Sequence, residues 1–411
     1  MEKPGDAARA APELQVRPLT GLAQIPAADW DACATSPETL AAGDETHNPF
    51  LSHAFLSALE DSGCVSRRSG WMPLHVRVEC EGKLVGVAPC YLKSHSQGEY
   101  VFDHGWADAY ERAGGSYYPK LQVSVPFTPV TGPRFLIAPG QDVELATSAL
   151  VAGLRALRQE TEASSIHVTF MQEREWAAAG ALGFLQRVDQ QFHWDNAGYA
   201  GFEDFLGALA SRKRKAIRRE RRDALTNGIT IEHLTGADLT EEVWDAFYGF
   251  YVDTGARKWG RPYLNRRFFA LIGERMPERV LLVMAKREGR YIAGAINFIG
   301  DAALYGRNWG CSEDHPFLHF EVCYYQAIDF AIARGLRRVE AGAQGEHKLA
   351  RGYRPVIMHS AHDIADPGLR RAVADYLARE RAHIVEVAGA LDTLTPFRRG
   401  EALGSSSEES E

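Results

Sequence analysis

Residues 81–92 read EGKLVGVAPCYL, and residues 288–299 read EGRYIAGAINFI. Each stretch begins with Glu-Gly and a cation, then continues as a β-rich run with small residues at matching positions. The residues before each stretch are also strand-like, PLHVRVEC (73–80) and VLLVMAKR (280–287). Glu-Gly between two strand-like runs is typical of a tight turn, so each unit predicts a β-hairpin. A hairpin that recurs in one chain indicates an internal duplication.

The elements that flank the two hairpins also match. An amphipathic helix is predicted before each hairpin, at NPFLSHAFLSALEDSG (48–63) and LNRRFFALIGERM (264–276). After each hairpin the sequence predicts a further strand, a long helix and a short strand. These elements are residues 121–125, 142–162 and 165–170 in the first half, and 302–310, 317–334 and 336–342 in the second. Because hairpins dominate both halves, the pattern favours an α/β (α+β) mixed sheet over a doubly wound parallel sheet.

The length of the chain also predicts two domains, because 411 residues exceed what one hydrophobic core usually supports. We predict a first domain at 14–198 and a second domain at 199–395 that carries the functional site. Residues 1–13 and 396–411 are predicted to be a disordered N-terminus and a disordered acidic tail. The apolar content of 45% and the charged content of 24% are typical of a soluble globular protein.

The cysteines and the apolar runs predict a cellular compartment. The six cysteines form no C-x-x-C pair and no zinc spacing, which is typical of buried, reduced thiols. The N-terminal residues lack the apolar core of a signal peptide, and no apolar run reaches the roughly 18–20 residues that span a bilayer. We therefore predict a cytoplasmic protein without a transmembrane segment.

The most basic segment is SRKRKAIRRERR (211–222), with eight cations and one acid in a chain whose net charge is −8. The negative body argues against a DNA-binding protein, whereas the basic segment predicts local attraction for an anion. Ile217 and Ala224 belong to an apolar stripe that predicts a helix with one narrow buried edge. Two interpretations remain open: a solvated face paired with acids, or a phosphate site. The residues assigned to a donor-phosphate site are Arg212, Lys213, Arg214, Lys215, Arg218, Arg219 and, outside the segment, Arg307.

A chemical cluster is predicted around AGAQGEHKLARGY (341–353), which follows the last short strand of the second half. Ligands of α/β units gather at the carboxyl ends of strands, and Gly342 and Gly345 would let a substrate backbone come close. The predicted catalytic residues are a base, a proton shuttle and a cation in Glu346, His347 and Lys348, with Glu321 as a second candidate base. The residues assigned to the substrate cleft are Tyr305, Trp309, His319, Glu340, Arg351 and, in the first half, Asp103.

Each residue of this cluster also has an ordinary interpretation. A single Glu or Lys on a loop is usually solvated, and Tyr305 and Trp309 could simply pack in the core. His315 and His319 have i, i+4 spacing, but Pro316 places His315 at the helix entrance and the H-E-x-x-H motif is absent, so we predict no metal. Two further histidines, His359 and His362, are interpreted as surface residues. The sequence also lacks G-x-S-x-G, Walker and G-x-G-x-x-G motifs, which disfavours triad hydrolases and P-loop enzymes.

Several stretches resemble the FemAB-like "peptidoglycan biosynthesis/recognition" family of bacterial GNAT-like N-acyltransferases, which are related to the Fem aminoacyltransferases. The stretches are NPFLSHAFLSALEDSG (48–63), VPFTPVTGPRFL (125–136), RNWGCSEDHPFLHFEVCYYQAIDFAIARGL (307–336) and GAQGEHKLARGY (342–353). The resemblance covers residues 14 to 390 and implies two tandem GNAT-type acyltransferase domains. It also implies transfer of an acyl or aminoacyl group to an amine, with acyl-CoA or aminoacyl-tRNA as co-substrate and no tightly bound cofactor.

The resemblance extends to two local features. Fem transferases have a basic segment ahead of the second domain that is similar to RKRKAIRRERR, and a Lys followed by Gly-aromatic that is similar to Lys348 with Gly352-Tyr353. By that match Lys348 is a phosphate or oxyanion contact. The chain lacks the long coiled-coil insert of many Fem enzymes. The stretches VTGPR (130–134) and RNWGCS (307–312) differ from the Q/R-x-x-G-x-G/A pyrophosphate loop of acetyl-CoA-dependent GNAT proteins, so the donor stays open.

Three hypotheses about function follow from the sequence. The first is an N-acyltransferase acting on a small-molecule or peptide amine, such as a cell-wall precursor, with tRNA as a partner if the donor is aminoacyl-tRNA. The second is a non-catalytic binding protein on a degenerate GNAT/Fem fold. The third is a nucleic-acid binder that uses the basic segment alone. The oligomeric state is left open.

Overall fold

The two Glu-Gly turns of the repeated hairpins have the same backbone geometry. This computed structural model describes residues 14–40, 47–258, 262–342 and 345–398, except for the side chains of 256–258 and 346. Glu81 and Gly82 have φ angles of 50° and 77°, and Glu288 and Gly289 have φ angles of 50° and 75°. Left-handed backbone at both central residues is the mark of a type I′ turn, whose twist matches that of the flanking strands. Both hairpins are therefore confirmed, turn included.

The described residues contain fifteen strands. They are β1 (Leu14–Leu19), β2 (Trp71–Pro73), β3 (His75–Cys80), β4 (Lys83–Ala88), β5 (Cys90–Lys93), β6 (Lys120–Val123), β7 (Leu136–Ile137), β8 (Ser165–Met171), β9 (Leu185–Asp195), β10 (Thr230–Leu234), β11 (Val280–Arg287), β12 (Arg290–Ile299), β13 (Ala303–Cys311), β14 (Arg338–Glu340) and β15 (Arg354–Ile364). The order β1-β3-β4-β7 forms a four-stranded sheet. The order β10-β11-β12-β13-β14-β9-β15-β8-β6-β5-β2 forms an eleven-stranded sheet.

The described residues contain twelve α-helices. They are α1 (Ala27–Ala34), α2 (His53–Asp61), α3 (His104–Arg112), α4 (Val143–Glu160), α5 (Glu173–Ala181), α6 (Phe202–Ala208), α7 (Ser211–Ala224), α8 (Glu241–Lys258), α9 (Arg266–Arg275), α10 (Leu318–Phe320), α11 (Gln326–Ala333) and α12 (Pro367–Asp392). Between α10 and α11 the chain makes one π-helical turn, Glu321–Tyr325. None of the helices among the described residues combines the length and apolarity needed to cross a bilayer.

Each half contains one parallel strand pair in an otherwise antiparallel sheet. In the first half β6 runs parallel to β8, and α4 lies between them in the chain. In the second half β13 runs parallel to β14, and the helical segment from α10 to α11 connects them. The predicted order of hairpin, strand, long helix and short strand is therefore present in both halves, and the mixed α/β fold is confirmed.

The last strand of each half pairs with the other half. Strand β9, the end of the first half, pairs with β14 of the second half. Strand β15, the end of the second half, pairs with β8 of the first half. The two exchanged strands also pair with each other, from His193↔Arg354 to Leu185↔His362. The predicted domain boundary near residue 198 therefore divides the chain but does not divide the sheet.

One hydrophobic core extends across the two halves. The ring of Phe50 lies 4.7 Å from that of Phe298, and the ring of Phe55 lies 5.6 Å from that of Phe268. At the C-terminus, Phe397 forms a β-bridge with Leu209, so the tail predicted to be disordered from residue 396 begins with ordered contacts. The predicted disorder of residues 1–13 and 399–411 lies outside the described residues.

Candidate functional site

The parallel pair of the second half opens at its carboxyl end. Strands β13 and β14 pair from Ala303↔Arg338 to Tyr305↔Glu340, after which β13 continues to Cys311 while β14 ends. After Glu340 the pairing with β13 has ended, and the next helical element is the 3₁₀ helix Glu346–Arg351. Ligands of parallel strand pairs bind at this end, where adjacent chains diverge. We refer to this opening as the β13–β14 gap.

Lys348 lies beside the β13–β14 gap with its side chain directed at the end of β14. It is 2% exposed, and its Nζ donates hydrogen bonds to the carbonyl oxygens of Ala341 at 2.7 Å and Gly342 at 2.9 Å. Burial lowers the pKa of Lys348 from its ordinary value of 10.5 to about 8. The ammonium thus holds the backbone of the two residues that follow β14, and two of its three N–H donors have acceptors among the described residues.

His347 lies on the outer side of the same segment. Its Nε2 is 3.0 Å from the Tyr324 hydroxyl, and its ring lies 6.4 Å from that of His319. The ring of His319 in turn lies 5.3 Å from Trp309. Burial, followed by Arg351 and Lys348, lowers the pKa of His347, so its imidazole is neutral near pH 7 and able to accept a proton. The predicted residues Trp309, His319 and His347 therefore lie together, whereas the side chain of Glu346 lies outside the described residues.

Glu321 does not face the β13–β14 gap as a free base. It is 0% exposed on the π-helical turn and accepts hydrogen bonds from Arg221 at 3.0 Å and from Gln326 at 2.7 Å. Burial raises the pKa of Glu321, which Arg221 opposes. Because its carboxylate is engaged by these two side chains, Glu321 anchors helix α7 and we do not propose it as a base.

The predicted basic helix is present as α7. Some of its cations form ion pairs with acids, and the others form none among the described residues. Arg221 and Glu220 face the protein, where Glu220 accepts a hydrogen bond from Arg351 at 2.8 Å. Arg218 pairs with Glu203, and Arg219 lies 3.7 Å from Asp223. The first turn and a half carries four cations that have no ion pair among the described residues. These are Arg212, Lys213, Arg214 and Lys215.

Arg351 connects α7 to the segment that carries Lys348. Its guanidinium lies 3.4 Å above the ring of Phe320, and it donates to the carbonyl oxygen of His347 at 2.8 Å. The predicted cleft residue Arg351 therefore positions His347 and α7 relative to each other. The four cations from Arg212 to Lys215 are exposed or half-buried at the N-terminal end of the helix.

Arg307 lies on the opposite side of the sheet from α7. Its guanidinium lies 4.7 Å from the Phe50 ring of the first half, and its Nε and Nη2 have no hydrogen-bond partner among the described residues. Burial lowers the pKa of Arg307 to about 10. Arg307 and Asn308 line a shallow, largely aromatic cleft between the halves. The structure therefore does not bring Arg307 together with the α7 cations that were assigned to the same phosphate site.

Tyr305, Glu340 and Asp103 are buried rather than exposed to a cleft. Tyr305 packs in the core shared by the halves, which is the ordinary interpretation of that residue. Glu340 accepts a hydrogen bond from Arg338 at 3.1 Å, and its Oε2 lies 3.9 Å from His193 Nε2 without a hydrogen-bond partner among the described residues. Asp103 lies in the first half, where Lys120 and Tyr117 donate to its carboxylate. Asp103 thus belongs to a buried charge network that is separate from the β13–β14 gap.

Asn297 is the residue at this site that sequence reasoning missed. It lies on β12, it is 0% exposed, and neither its Oδ1 nor its Nδ2 has a hydrogen-bond partner among the described residues. The signal was present in the repeat, where Asn297 is a polar residue within the otherwise apolar run YIAGAINFI (291–299). No group of three or more His, Cys, Asp and Glu side chains in the described part of the chain is arranged to hold a metal ion.

Two α/β halves with matching parallel pairs and exchanged last strands define a tandem GNAT-type fold. The chain belongs to the FemAB-like family, described as peptidoglycan biosynthesis/recognition, whose profile matches residues 21–399. The predicted family resemblance is therefore confirmed. A search of curated proteins gave no match.

Solved structures with a similar fold include FemX and a conserved protein of unknown function from Bacteroides thetaiotaomicron. FemX is 14% identical with a TM-score of 0.53, over 85% of this chain and 98% of FemX. The Bacteroides protein is 11% identical with a TM-score of 0.51, over 86% of this chain and 100% of that chain. A tandem GNAT protein from the clavulanic acid biosynthesis pathway is 14% identical with a TM-score of 0.45, over 86% and 99%. At these identities the likeness concerns the fold, and family membership supports a transferase of acyl or aminoacyl groups.

Proposed function

We propose that this protein is an N-acyltransferase that moves an acyl or aminoacyl group from acyl-CoA or aminoacyl-tRNA to an amine of a peptidoglycan-related acceptor. The observation that carries the proposal is the β13–β14 gap, where the Lys348 ammonium is fixed at the end of β14 and the preceding residue, His347, carries a neutral imidazole. The FemAB-like family supports the acceptor class, because its description concerns peptidoglycan.

The proposed reaction needs a base and an oxyanion contact. The acceptor nitrogen attacks the carbonyl carbon of the donor and forms a C–N bond. His347 takes the proton of the amine, directly or through water, a role that contributes about 10²–10⁴ in rate. Lys348 donates its remaining N–H to the developing oxyanion, a contact of the kind that contributes about 10²–10³. The C–S bond of a thioester or the C–O bond of an aminoacyl ester then breaks, and the thiol or hydroxyl leaves with a proton.

Helix α7 supports a donor that carries phosphate groups. The cations from Arg212 to Lys215 lie at the N-terminal end of the helix, where the helix dipole also favours negative charge. Acyl-CoA and tRNA both carry phosphate, so the helix does not select between them. Because Arg307 lies on the other side of the sheet, it is not part of this proposed phosphate site.

The test uses purified protein with labelled acyl-CoAs, charged tRNAs and a panel of amine acceptors. We expect Lys348→Ala and His347→Gln each to lower turnover at least about tenfold while the fold is retained, and Glu346→Gln tests the other base predicted from the sequence. The matched control is Lys286→Ala, which removes a lysine on β11 that pairs with Glu232 of the edge strand β10 at 3.3 Å. Full turnover in all three site variants would place the chemistry elsewhere.

A second candidate function is a binding protein on the same fold. It is favoured by the engagement of two Lys348 donors with backbone carbonyls, which is also how a lysine with only a structural role is held. This candidate predicts no turnover with any donor but retained binding of an anionic cell-wall precursor. A nucleic-acid binder predicts instead that the logarithm of tRNA affinity falls with the logarithm of salt concentration, with a slope of about −3 for four phosphate contacts. Melting temperatures with CoA, acyl-CoA, precursor and tRNA separate the three cases.

A further inference from the structure

The buried amide of Asn297 has four hydrogen-bonding sites, and no described residue uses them. Asn297 is 0% exposed, and neither its Oδ1 nor its Nδ2 has a hydrogen-bond partner among the described residues. Buried polar side chains in folded proteins are nearly always hydrogen-bonded, so this amide requires a partner of another kind. Elsewhere in the chain a comparable amide is satisfied, since Gln191 is 1% exposed and its Nε2 donates to the carbonyl oxygen of Pro129 at 2.7 Å.

The position of Asn297 relates this amide to the β13–β14 gap. Asn297 pairs with Gly306 across β12 and β13, next to an irregularity in their register. A Cβ atom at Gly306 would lie 3.3 Å from Asn297 Oδ1 and 3.6 Å from the carbonyl oxygen of Glu340. Glu340 is the last residue of β14 to pair with β13. The amide of Asn297 therefore lies beside Gly306, close to the residue at which β13 and β14 cease to pair.

The element above this point is the π-helical turn Glu321–Tyr325, which packs against β12. Single π-helical turns inside helices occur frequently at functional sites. Lys348 satisfies the carbonyl oxygens of the next two residues of the chain, Ala341 and Gly342, but not the amide of Asn297. Lys348 thus lies on one side of the gap, and the buried amide of Asn297, which offers a donor and an acceptor side by side, lies next to Gly306 on the other.

We propose that Asn297 recognises the acyl donor in the β13–β14 gap through a group that presents an acceptor oxygen and an N–H donor close together. This inference rests on the proposed transferase function. Two donors supply such a group: the amides of the pantetheine arm in acyl-CoA, and the carbonyl with its adjacent amine in an aminoacyl ester. Asn297 then determines that the donor is one of these and not a simple thioester.

The first test measures the stability of the protein without ligand. Asn297→Leu keeps the branched shape of the side chain and removes the unpartnered polar atoms, so we expect the melting temperature to rise by about 2–4 °C. Asn297→Val is measured beside it in case the larger leucine strains the site. The matched control is Gln191→Met, which removes a satisfied amide and should lower the melting temperature. If both Asn297 variants lower it as much as Gln191→Met does, the amide is already satisfied by water and the inference is wrong.

The second test measures use of the donor with an acyl-CoA, an aminoacyl-tRNA and an S-ethyl thioester that has no amide. In Asn297→Leu we expect about a tenfold loss of kcat/KM, mainly through KM, for the donor that the enzyme uses. The S-ethyl thioester should react equally slowly with both proteins. An equal effect on all three donors, or no effect, contradicts the inference. Absence of turnover in the wild type would reject the transferase proposal instead, while the donor-induced rise in melting temperature and its loss in Asn297→Leu still test Asn297.

Discussion

At the residue scale, the titration of Lys348 makes its role measurable. Burial places the pKa of this lysine at about 8, so an ammonium that contacts the oxyanion is lost above that pH. We expect kcat/KM of the wild type to fall as the pH rises through about 8. Lys348→Arg should move the fall to higher pH, because a guanidinium stays protonated. An alkaline limb that is the same in Lys348→Arg and wild type would show that another group titrates.

The expected fall in kcat/KM above about pH 8 is not an effect of unfolding through Lys348. The folded-state pKa of Lys348 lies below its ordinary value of 10.5, so the unfolded chain binds more protons between pH 8 and 10.5. The contribution of this residue to the free energy of unfolding therefore increases with pH across that window. A melting temperature measured at each pH of the activity profile distinguishes the two effects.

The sequence predicted which residues gather at the site better than it predicted what each one contacts. The glycine-rich run before Lys348 was predicted to follow a short strand, and in the structure that strand, β14, ends at Glu340. The pairing of Glu321, the second candidate base, with Arg221 left no local signal, since Arg221 lies on a helix far away in the chain. Arg307 was assigned to the phosphate site on charge alone, and charge does not tell which face of a strand a side chain occupies. His362 was predicted to be exposed but is 0% exposed and hydrogen-bonded to His167.

At the element scale, helix α7 is fixed to the protein by the ion pair between Arg221 and the buried Glu321. Arg221→Met leaves that carboxylate without its cation, so we expect a loss of about 2–4 kcal/mol in the free energy of unfolding. The double variant Arg221→Met with Glu321→Met replaces the pair by apolar side chains and should recover most of that loss. Urea unfolding at pH 7 measures both. Equal losses in the single and double variants would show that Glu321 is not destabilised by losing Arg221.

The helices and hairpins were predicted from local patterns, whereas the π-helical turn was not. The residue patterns of a strand and of a type I′ turn each lie within a few residues of sequence. This is why β11 and both Glu-Gly turns were predicted with accurate bounds. The long helix predicted at 317–334 is present from Leu318 to Ala333, but one π turn interrupts it. A π turn shifts the helical phase by a single residue, and the apolar pattern of a mostly buried helix tolerates that shift.

At the scale of the whole molecule, the exchange of β9 and β15 makes each half incomplete without the other. The duplication predicted two similar units, and such units could each have closed their own sheet. Strand pairing between distant segments leaves no local signal, because the apolar alternation of β15 is the same whichever strand lies beside it. The histidines of β15 were consequently assigned to the surface, although β15 is covered by α12 and paired on both sides.

The exchange predicts that the full chain unfolds in one cooperative transition and that neither half folds alone. A fragment of residues 14–198 would expose the edge of β8 and lose both partners of β9. We expect it to lack cooperative unfolding in calorimetry and sharp near-ultraviolet dichroism, and to regain both when co-expressed with residues 199–398. Co-expression with 199–353, which lacks β15 and α12, should not restore the fold, since β8 then has no strand at its edge. Cooperative unfolding of 14–198 on its own would contradict this account and would support two independent domains.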